Sequence, residues 1–135
     1  MAFGDGGRGR CPCGTGAALT ECCGPLLDGA AQAATAEQLM RSRYCAFALG
    51  RVDHLVRSWH PATRPADLQL DPRTRWTGLR ILRVREGGPD DDTGVVAFAA
   101  SHSGPDGDGV LEETSLFSRR GRRRWWVYER ALTDG

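Results

Sequence analysis

Four of the five cysteines in this chain lie close together near its N-terminus. They form the pattern C-x-C-x8-C-C, in which Cys11 and Cys13 make the first pair and Cys22 and Cys23 the second. The segment that carries them, CPCGTGAALTECCGP, has few large apolar side chains. A segment of this size and composition cannot bury enough apolar surface to fold unaided, so we expect a cross-link to hold it together.

A metal ion is the cross-link that the spacing favours. The N-terminal residues lack the apolar core of a signal peptide, and no run approaches the roughly 20 apolar residues of a membrane span. We therefore expect a cytoplasmic protein with no membrane partner, in which thiols stay reduced. Four thiolates satisfy the tetrahedral preference of zinc and leave no open position, which predicts a structural Zn2+ held by Cys11, Cys13, Cys22 and Cys23.

Two other interpretations of the cysteines stay open. Cys22 and Cys23 could be small buried hydrophobic residues or a redox pair, although the C-x-x-C spacing of redox proteins is absent. An iron–sulfur centre would use the same donors, but adjacent cysteines suit one small ion better than a cluster.

The length of 135 residues fits one ordinary domain with a small appendage. We predict a disordered tail over residues 1–10, a zinc knuckle over 11–28 and a folded domain over 33–132. Lys+Arg number 18 and Asp+Glu 17, so the net charge of +1 provides no general attraction to nucleic acid or to a membrane surface.

The folded domain begins with helical patterns. TAEQLMRSRYCAFAL places apolar residues at three- and four-residue spacing, which predicts a helix with Thr35 as its N-cap and Gly50 as its C-cap. A shorter helix is predicted over 53–59, and one more helical turn over 65–70.

Strand patterns follow Pro72. Four segments rich in β-branched and aromatic residues are separated by GGPDDD, SGPDGDG and RRGRR, which are turn compositions. Helices followed by an antiparallel meander of about four strands indicate an α+β fold, in which the helices cover one face of a curved sheet and close a cone.

The knuckle resembles a known module. CPCGTGAALTECCG is similar to the SEC-C zinc motif, found at the C-terminus of the SecA translocase and in many small bacterial proteins. The resemblance implies zinc binding by Cys11, Cys13, Cys22 and Cys23.

The rest of the chain resembles the YchJ family of bacterial proteins. The resemblance is carried by EQLMRSRYCAFALG, LVRSWHPATRP, WTGL, GVVAFAA and LEETSLF. It implies a fold similar to nuclear transport factor 2, with helices against a curved sheet.

Such a cone often holds a ligand or an active site. The residues that we place at its mouth or wall are Arg43, Tyr44, Trp59, His60, Trp76 and either Glu112 or Glu113. Plain core packing is the alternative role for the three aromatic residues, and bonding to the backbone at a helix end is the alternative for His60.

The neighbouring glutamates cannot act together. Glu112 and Glu113 are adjacent on a strand, so they point to opposite faces and only one can lie inside. An inward Arg43 needs a carboxylate partner, and we expect a buried pair with the inward glutamate.

Three further residues are given no functional role. Cys45 stands outside the cysteine cluster and is expected to be a small core residue. His54 and His102 are expected on the surface.

The basic run Arg119, Arg120, Arg122, Arg123 and Arg124, followed by two tryptophans, is most simply a solvated hairpin loop. Contact with nucleic acid at this run is the less favoured alternative.

Two functional hypotheses remain. The favoured one is a non-catalytic, zinc-binding adaptor whose knuckle docks on a protein or ribosomal partner. The alternative is a small-molecule enzyme or ligand-binding protein that uses the cone, with His60 and Glu112 or Glu113 as acid–base groups.

Overall fold

The computed structural model describes residues 9–132, so most of the tail predicted over 1–10 lies outside the described residues. A 3-10 turn over Leu19–Glu21 is followed by three helices and four strands. The helices are α1 Gly24–Leu27, α2 Ala36–Leu49 and α3 Val52–Arg57, and the strands are β1 Arg75–Glu86, β2 Thr93–Gly104, β3 Gly107–Arg120 and β4 Trp125–Leu132. None of the helices in this part of the chain is long and apolar enough to cross a membrane.

Helix α2 has the caps that the sequence predicts. The Thr35 hydroxyl accepts a hydrogen bond of 3.0 Å from the Gln38 N–H, which satisfies one of the free donors at the helix start. Gly50 ends the helix in a left-handed conformation with φ of 74°. The predicted helix is therefore confirmed at both ends.

Two predicted elements differ. Helix α3 stops at Arg57, because the next residues pair with β4: Trp59 forms an isolated parallel bridge with Tyr128. The turn of helix predicted over 65–70 is wrong, since this segment is irregular. Its two leucines, Leu68 and Leu70, both pack against the core, and their spacing of two suits extended chain better than helix.

The sheet is a meander in the order β1-β2-β3-β4, antiparallel throughout. Register shifts in β1 follow Trp76 and Ile81, and a third places an extra residue, Glu129, in β4 opposite the Leu116–Phe117 step of β3. Such bulges bend strands and increase their twist, which curves the sheet around α2. The predicted α+β cone of helices on a four-stranded sheet is confirmed.

Helix α2 comes into close contact with the sheet at its N-terminus. The Ala36 N–H donates a hydrogen bond of 2.9 Å to the Gly87 carbonyl. A Cβ added to Gly94 would overlap the Gly87 Cα and approach the Ala36 Cβ to 3.0 Å. Residues without a side chain are therefore needed where the helix begins to cross the sheet.

Candidate metal centre and ligand cavity

The four clustered cysteines converge on one point. The Sγ atoms of Cys11, Cys13, Cys22 and Cys23 all lie within 4.8 Å of one another. A tight loop makes this possible: Gly14 has a φ of 90°, which disfavours other residues, and the Cys11 N–H donates to the Ala17 carbonyl at 2.7 Å.

This geometry fits a tetrahedral ion bound by four thiolates. Zn–S bonds of about 2.3 Å in a tetrahedron place the sulfurs about 3.8 Å apart, and the Sγ atoms of Cys13 and Cys22 are separated by 3.6 Å. Cys11, Cys13 and Cys23 are buried, whereas Cys22 is half-buried, with its Sγ 3.2 Å from the Thr15 hydroxyl. The donor set therefore suits metal binding at a closed site.

Two short helical pieces present the second pair of cysteines. The 3-10 turn over Leu19–Glu21 precedes Cys22, and α1 begins at Gly24, directly after Cys23. The two cysteines thus lie at a sharp junction between two short helical pieces, which directs both sulfurs toward the first pair.

Cys45 is buried as expected, and its thiol borders the four-cysteine cluster. It lies in the second half of α2, and its Sγ is 3.4 Å from the Cys11 Sγ. Hydrogen bonds with the Cys23 and Cys45 thiols lower the pKa of Cys13, whereas hydrogen bonds with Cys13 and Cys45 raise the pKa of Cys23. A fifth sulfur therefore lies next to the four clustered ones, and the linear spacing of the sequence does not reveal it.

The knuckle shares its core with the folded domain. Cys11, Cys13 and Cys23 belong to the same buried cluster as Leu39 and Leu55 of the helices. In addition, the Arg41 guanidinium of α2 donates a hydrogen bond of 2.7 Å to the Cys13 carbonyl. The metal centre thus connects the N-terminal segment directly to α2.

A cavity of about 180 Å3 lies inside the cone, between α2 and the inner face of the sheet. Half of the residues in its wall are aromatic, and the wall is built by α2, all four strands and Trp59, the second residue after α3. The aromatic lining residues are Tyr44, Phe47, Trp59, Trp76, Phe98 and Tyr128. Of the pocket residues predicted from the sequence, Arg43, Tyr44, Trp59 and Trp76 line this cavity.

Arg43 is buried in the cavity wall between two aromatic rings. Its Cζ lies 4.7 Å from the centroid of Trp59 and 4.6 Å from that of Tyr128, and Nη1 donates to the Leu55 carbonyl and to the Ser58 hydroxyl. Loss of solvation lowers the pKa of Arg43 to about 10, so it stays cationic at neutral pH.

Glu113 is the inward member of the glutamate pair, and Glu112 is exposed on the other face. The predicted direct pair with Arg43 is not formed within the described residues. Instead, Glu113 Oε2 accepts hydrogen bonds from the Ser115 hydroxyl at 2.7 Å and the Tyr128 hydroxyl at 2.9 Å. Burial and the nearby Glu113 charge raise the pKa of Tyr128, which therefore stays a neutral donor.

Ser115 and Tyr128 are candidate residues that the sequence motifs do not reveal. The only available signal is strand alternation, because Glu113, Ser115 and Phe117 must share a face. Tyr128 pairs with Phe117 on the neighbouring strand.

His60 does not line the cavity. Its backbone N–H donates to the Tyr128 carbonyl at 2.8 Å, and its Nδ1 accepts from the Ala62 N–H at 3.0 Å. These are the backbone interactions of a residue that stabilises a turn, so the proposed acid–base pair of His60 and a strand glutamate is not assembled around this cavity.

The two histidines expected on the surface lie elsewhere. His54 is buried between α2 and α3, with Nε2 2.8 Å from the Ser42 hydroxyl. His102 is half-buried and its ring packs edge-on against Trp76, with centroids 5.4 Å apart. Both predictions were wrong because they did not anticipate the side chains that pack against each histidine in the folded protein.

Part of the arginine run is engaged in the structure. Arg119 donates to the backbone carbonyls of Asp91 and Pro89 and stacks on Trp126, while Arg124 pairs with Asp92. These contacts connect the β3-β4 tip to the acidic β1-β2 loop.

A four-cysteine knuckle packed on a cone of helices and curved sheet defines a nuclear transport factor 2-like domain with a SEC-C type centre. A family model described as "YchJ, middle NTF2-like domain" matches residues 35–131. A UPF0225 protein of Streptomyces coelicolor is 51% identical over 118 residues, which cover 87% of this chain and 90% of that relative. The chain belongs to the YchJ family, also named UPF0225, as the sequence resemblance predicted.

Solved structures agree with this assignment. A SEC-C motif containing protein from Rhodopseudomonas palustris superposes with a TM-score of 0.77 at 30% identity, covering 93% of this chain and 98% of the other. One from Psychrobacter arcticus gives 0.73 at 26% identity, covering 93% and 84%.

Proposed function

We propose that this protein binds a small molecule in its cone, and that the knuckle holds a structural Zn2+ which braces the cone's main helix. The observation that carries the proposal is the cavity of about 180 Å3, with an aromatic wall and the polar groups of Glu113 and Arg43 on it. A few convergent polar groups in an apolar pocket are typical of ligand sites.

The volume limits the size of the ligand. A dry protein cavity of about 150 Å3 is known to accommodate benzene, so a space of 180 Å3 suits a single ring with one or two substituents. Six aromatic side chains offer edges and faces against which a planar ring packs well.

The polar groups indicate the ligand's chemistry. Two donors occupy Glu113 Oε2, while Oε1 has no hydrogen bond among the described residues. The Arg43 cation offsets the Glu113 charge, so the wall favours a neutral molecule over an ion. The ligand class is thus a neutral single ring that carries an O–H or N–H donor for Glu113.

The remaining hypotheses have less support. The position of His60 outside the cavity favours binding over catalysis. Three of the four cysteines are buried in the common core, which favours a bracing role for the metal over a docking role. If a protein or ribosomal partner docks, the surface for it is the exposed side of the knuckle, with Thr15 and Glu21.

The test compares phenol with toluene, which have similar size and differ in one donor. We expect phenol to shift the indole NMR signals of Trp59 and Trp76 with a dissociation constant on the order of 0.1–1 mM, and toluene to bind several-fold more weakly. Glu113→Gln should weaken phenol binding and leave toluene unchanged, because charged acceptors form the stronger hydrogen bonds.

Glu112→Gln is the matched control, since this neighbour lies on the other face of the sheet. It should change neither ligand's affinity. Absence of signal changes at both tryptophans, or equal effects of the two glutamine variants, would contradict the proposal.

A further inference from the structure

The geometry points to Cys45 as a fifth sulfur donor of the metal centre, able to take the coordination position of Cys22. The centre then has two alternative sets of four sulfurs, which share Cys11, Cys13 and Cys23.

The first argument is the position of the Cys45 sulfur. It lies 3.4 Å from the Cys11 Sγ, close to the separation of about 3.8 Å between two sulfurs on one tetrahedral zinc ion. The Cys45 thiol also has side-chain contacts with Cys13 and Cys23. Cys45 therefore neighbours all three of the buried ligands.

The second argument is the difference in burial between the two competing residues. Cys45 is fully buried, as is Cys13, and Cys11 and Cys23 are each 3% exposed. Cys22 is the half-buried ligand, and its sulfur already interacts with the Thr15 hydroxyl. Cys22 is therefore the ligand that water and reagents reach first, and the one whose departure disturbs the core least.

The third argument is that α2 holds Cys45 in place. The residue lies one turn before the end of a helix of 14 residues, and its neighbours Tyr44 and Ala46 are also buried. A donor on a rigid, packed helix keeps its position when the short N-terminal loop moves.

The exchange is balanced without any redox step. Cys45 loses a proton to solvent as its thiolate binds the ion, and Cys22 takes up a proton as it leaves. The ion keeps four thiolates, and the charge of the centre does not change.

The experiment uses Co2+ as a spectroscopic probe in the full chain, since its thiolate charge-transfer and d–d bands report the number of bound sulfurs. We expect Cys22→Ser to bind one equivalent of Co2+ with the four-sulfur spectrum of the unmodified protein. Cys45→Ser should also show four sulfurs, whereas the double variant Cys22→Ser/Cys45→Ser should show three. A Cys22→Ser spectrum equal to that of the double variant would overturn the inference.

A second measurement covers the case in which Cys22→Ser does not fold. In the zinc-loaded chain, N-ethylmaleimide should modify Cys22, as located by mass spectrometry, without release of the ion to a chromogenic chelator. In Cys45→Ser the same modification should release it. Equal release from both proteins would refute the role of Cys45, and neither outcome depends on whether the cone binds a ligand.

Discussion

At the scale of single residues, the two buried basic side chains His54 and Arg43 are stabilised in different ways, and direct ion pairing is not the main one. Arg43 is a cation stacked between aromatic rings, and His54 is neutral. His54 shows the principle. It contacts the Ser42 hydroxyl on one side and Arg57 on the other. Loss of solvation, followed by the charges of Arg57 and Arg43, lowers the pKa of His54 to about 4, while Asp53 opposes the shift. The ring is therefore neutral at physiological pH and connects α2 to α3.

This shift predicts acid sensitivity. In the unfolded chain His54 takes up a proton near pH 6.5, but in the folded protein only near pH 4. Between these values the unfolded state binds more protons, so the free energy of unfolding should fall as the pH drops from 6.5 to 4, by on the order of 2 kcal/mol. Urea unfolding of the protein and of His54→Gln across this range measures it.

His102 supplies the comparison, because it is a half-buried histidine outside the α2-α3 contact. His102→Gln should keep the pH dependence, whereas His54→Gln should flatten it. If both variants keep the full dependence, its source is not His54.

At the scale of elements, the fit between α2 and the sheet decides the shape of the cone. The helix begins directly against Gly87 and Gly94, and its later turns carry Arg43, Tyr44 and Phe47 into the cavity wall. A displacement at its first turn therefore changes the whole cavity.

Gly94→Ala should destabilise the protein by about 1–3 kcal/mol, because the added methyl group would overlap backbone that cannot move freely. Gly78→Ala is the matched control in the neighbouring strand, where an added Cβ meets nothing within 4 Å. It should leave the melting temperature nearly unchanged. Thermal unfolding followed by circular dichroism tests both, and equal melting temperatures would argue against the close contact.

At the scale of the whole molecule, the metal centre and the cone form one structure. The knuckle cysteines pack among residues from α2 and α3, and Cys45 joins α2 to the centre. The linear order of the chain suggests an appendage followed by a domain, but the buried cluster does not separate them.

Removal of the metal should therefore affect more than the knuckle. Chelation under reducing conditions is expected to lower the melting temperature in a single transition and to increase hydrogen exchange in α2 as well as in residues 11–28. An independent appendage would give a different result, with exchange confined to the knuckle and an unchanged melting temperature.

Much of this architecture follows from local sequence. The periodicity of apolar residues and the capping pair Thr35 and Gly50 determine α2, because they act within a few positions of each other. Alternating residues and turn compositions determine the meander, and the pattern of Cys11, Cys13, Cys22 and Cys23 determines the cluster that the structure assembles. These signals depend only on residues that lie close together in the chain.

Only the tertiary structure decided what lies beside these elements. Cys45 reaches the metal centre across 34 positions, Arg43 stacks on Tyr128 from the last strand, and His54 is buried because two helices close over it. The same side chains would be exposed or unpaired in other arrangements of the same helices and strands. Their roles depend on contacts between residues far apart in the chain, which no local pattern encodes.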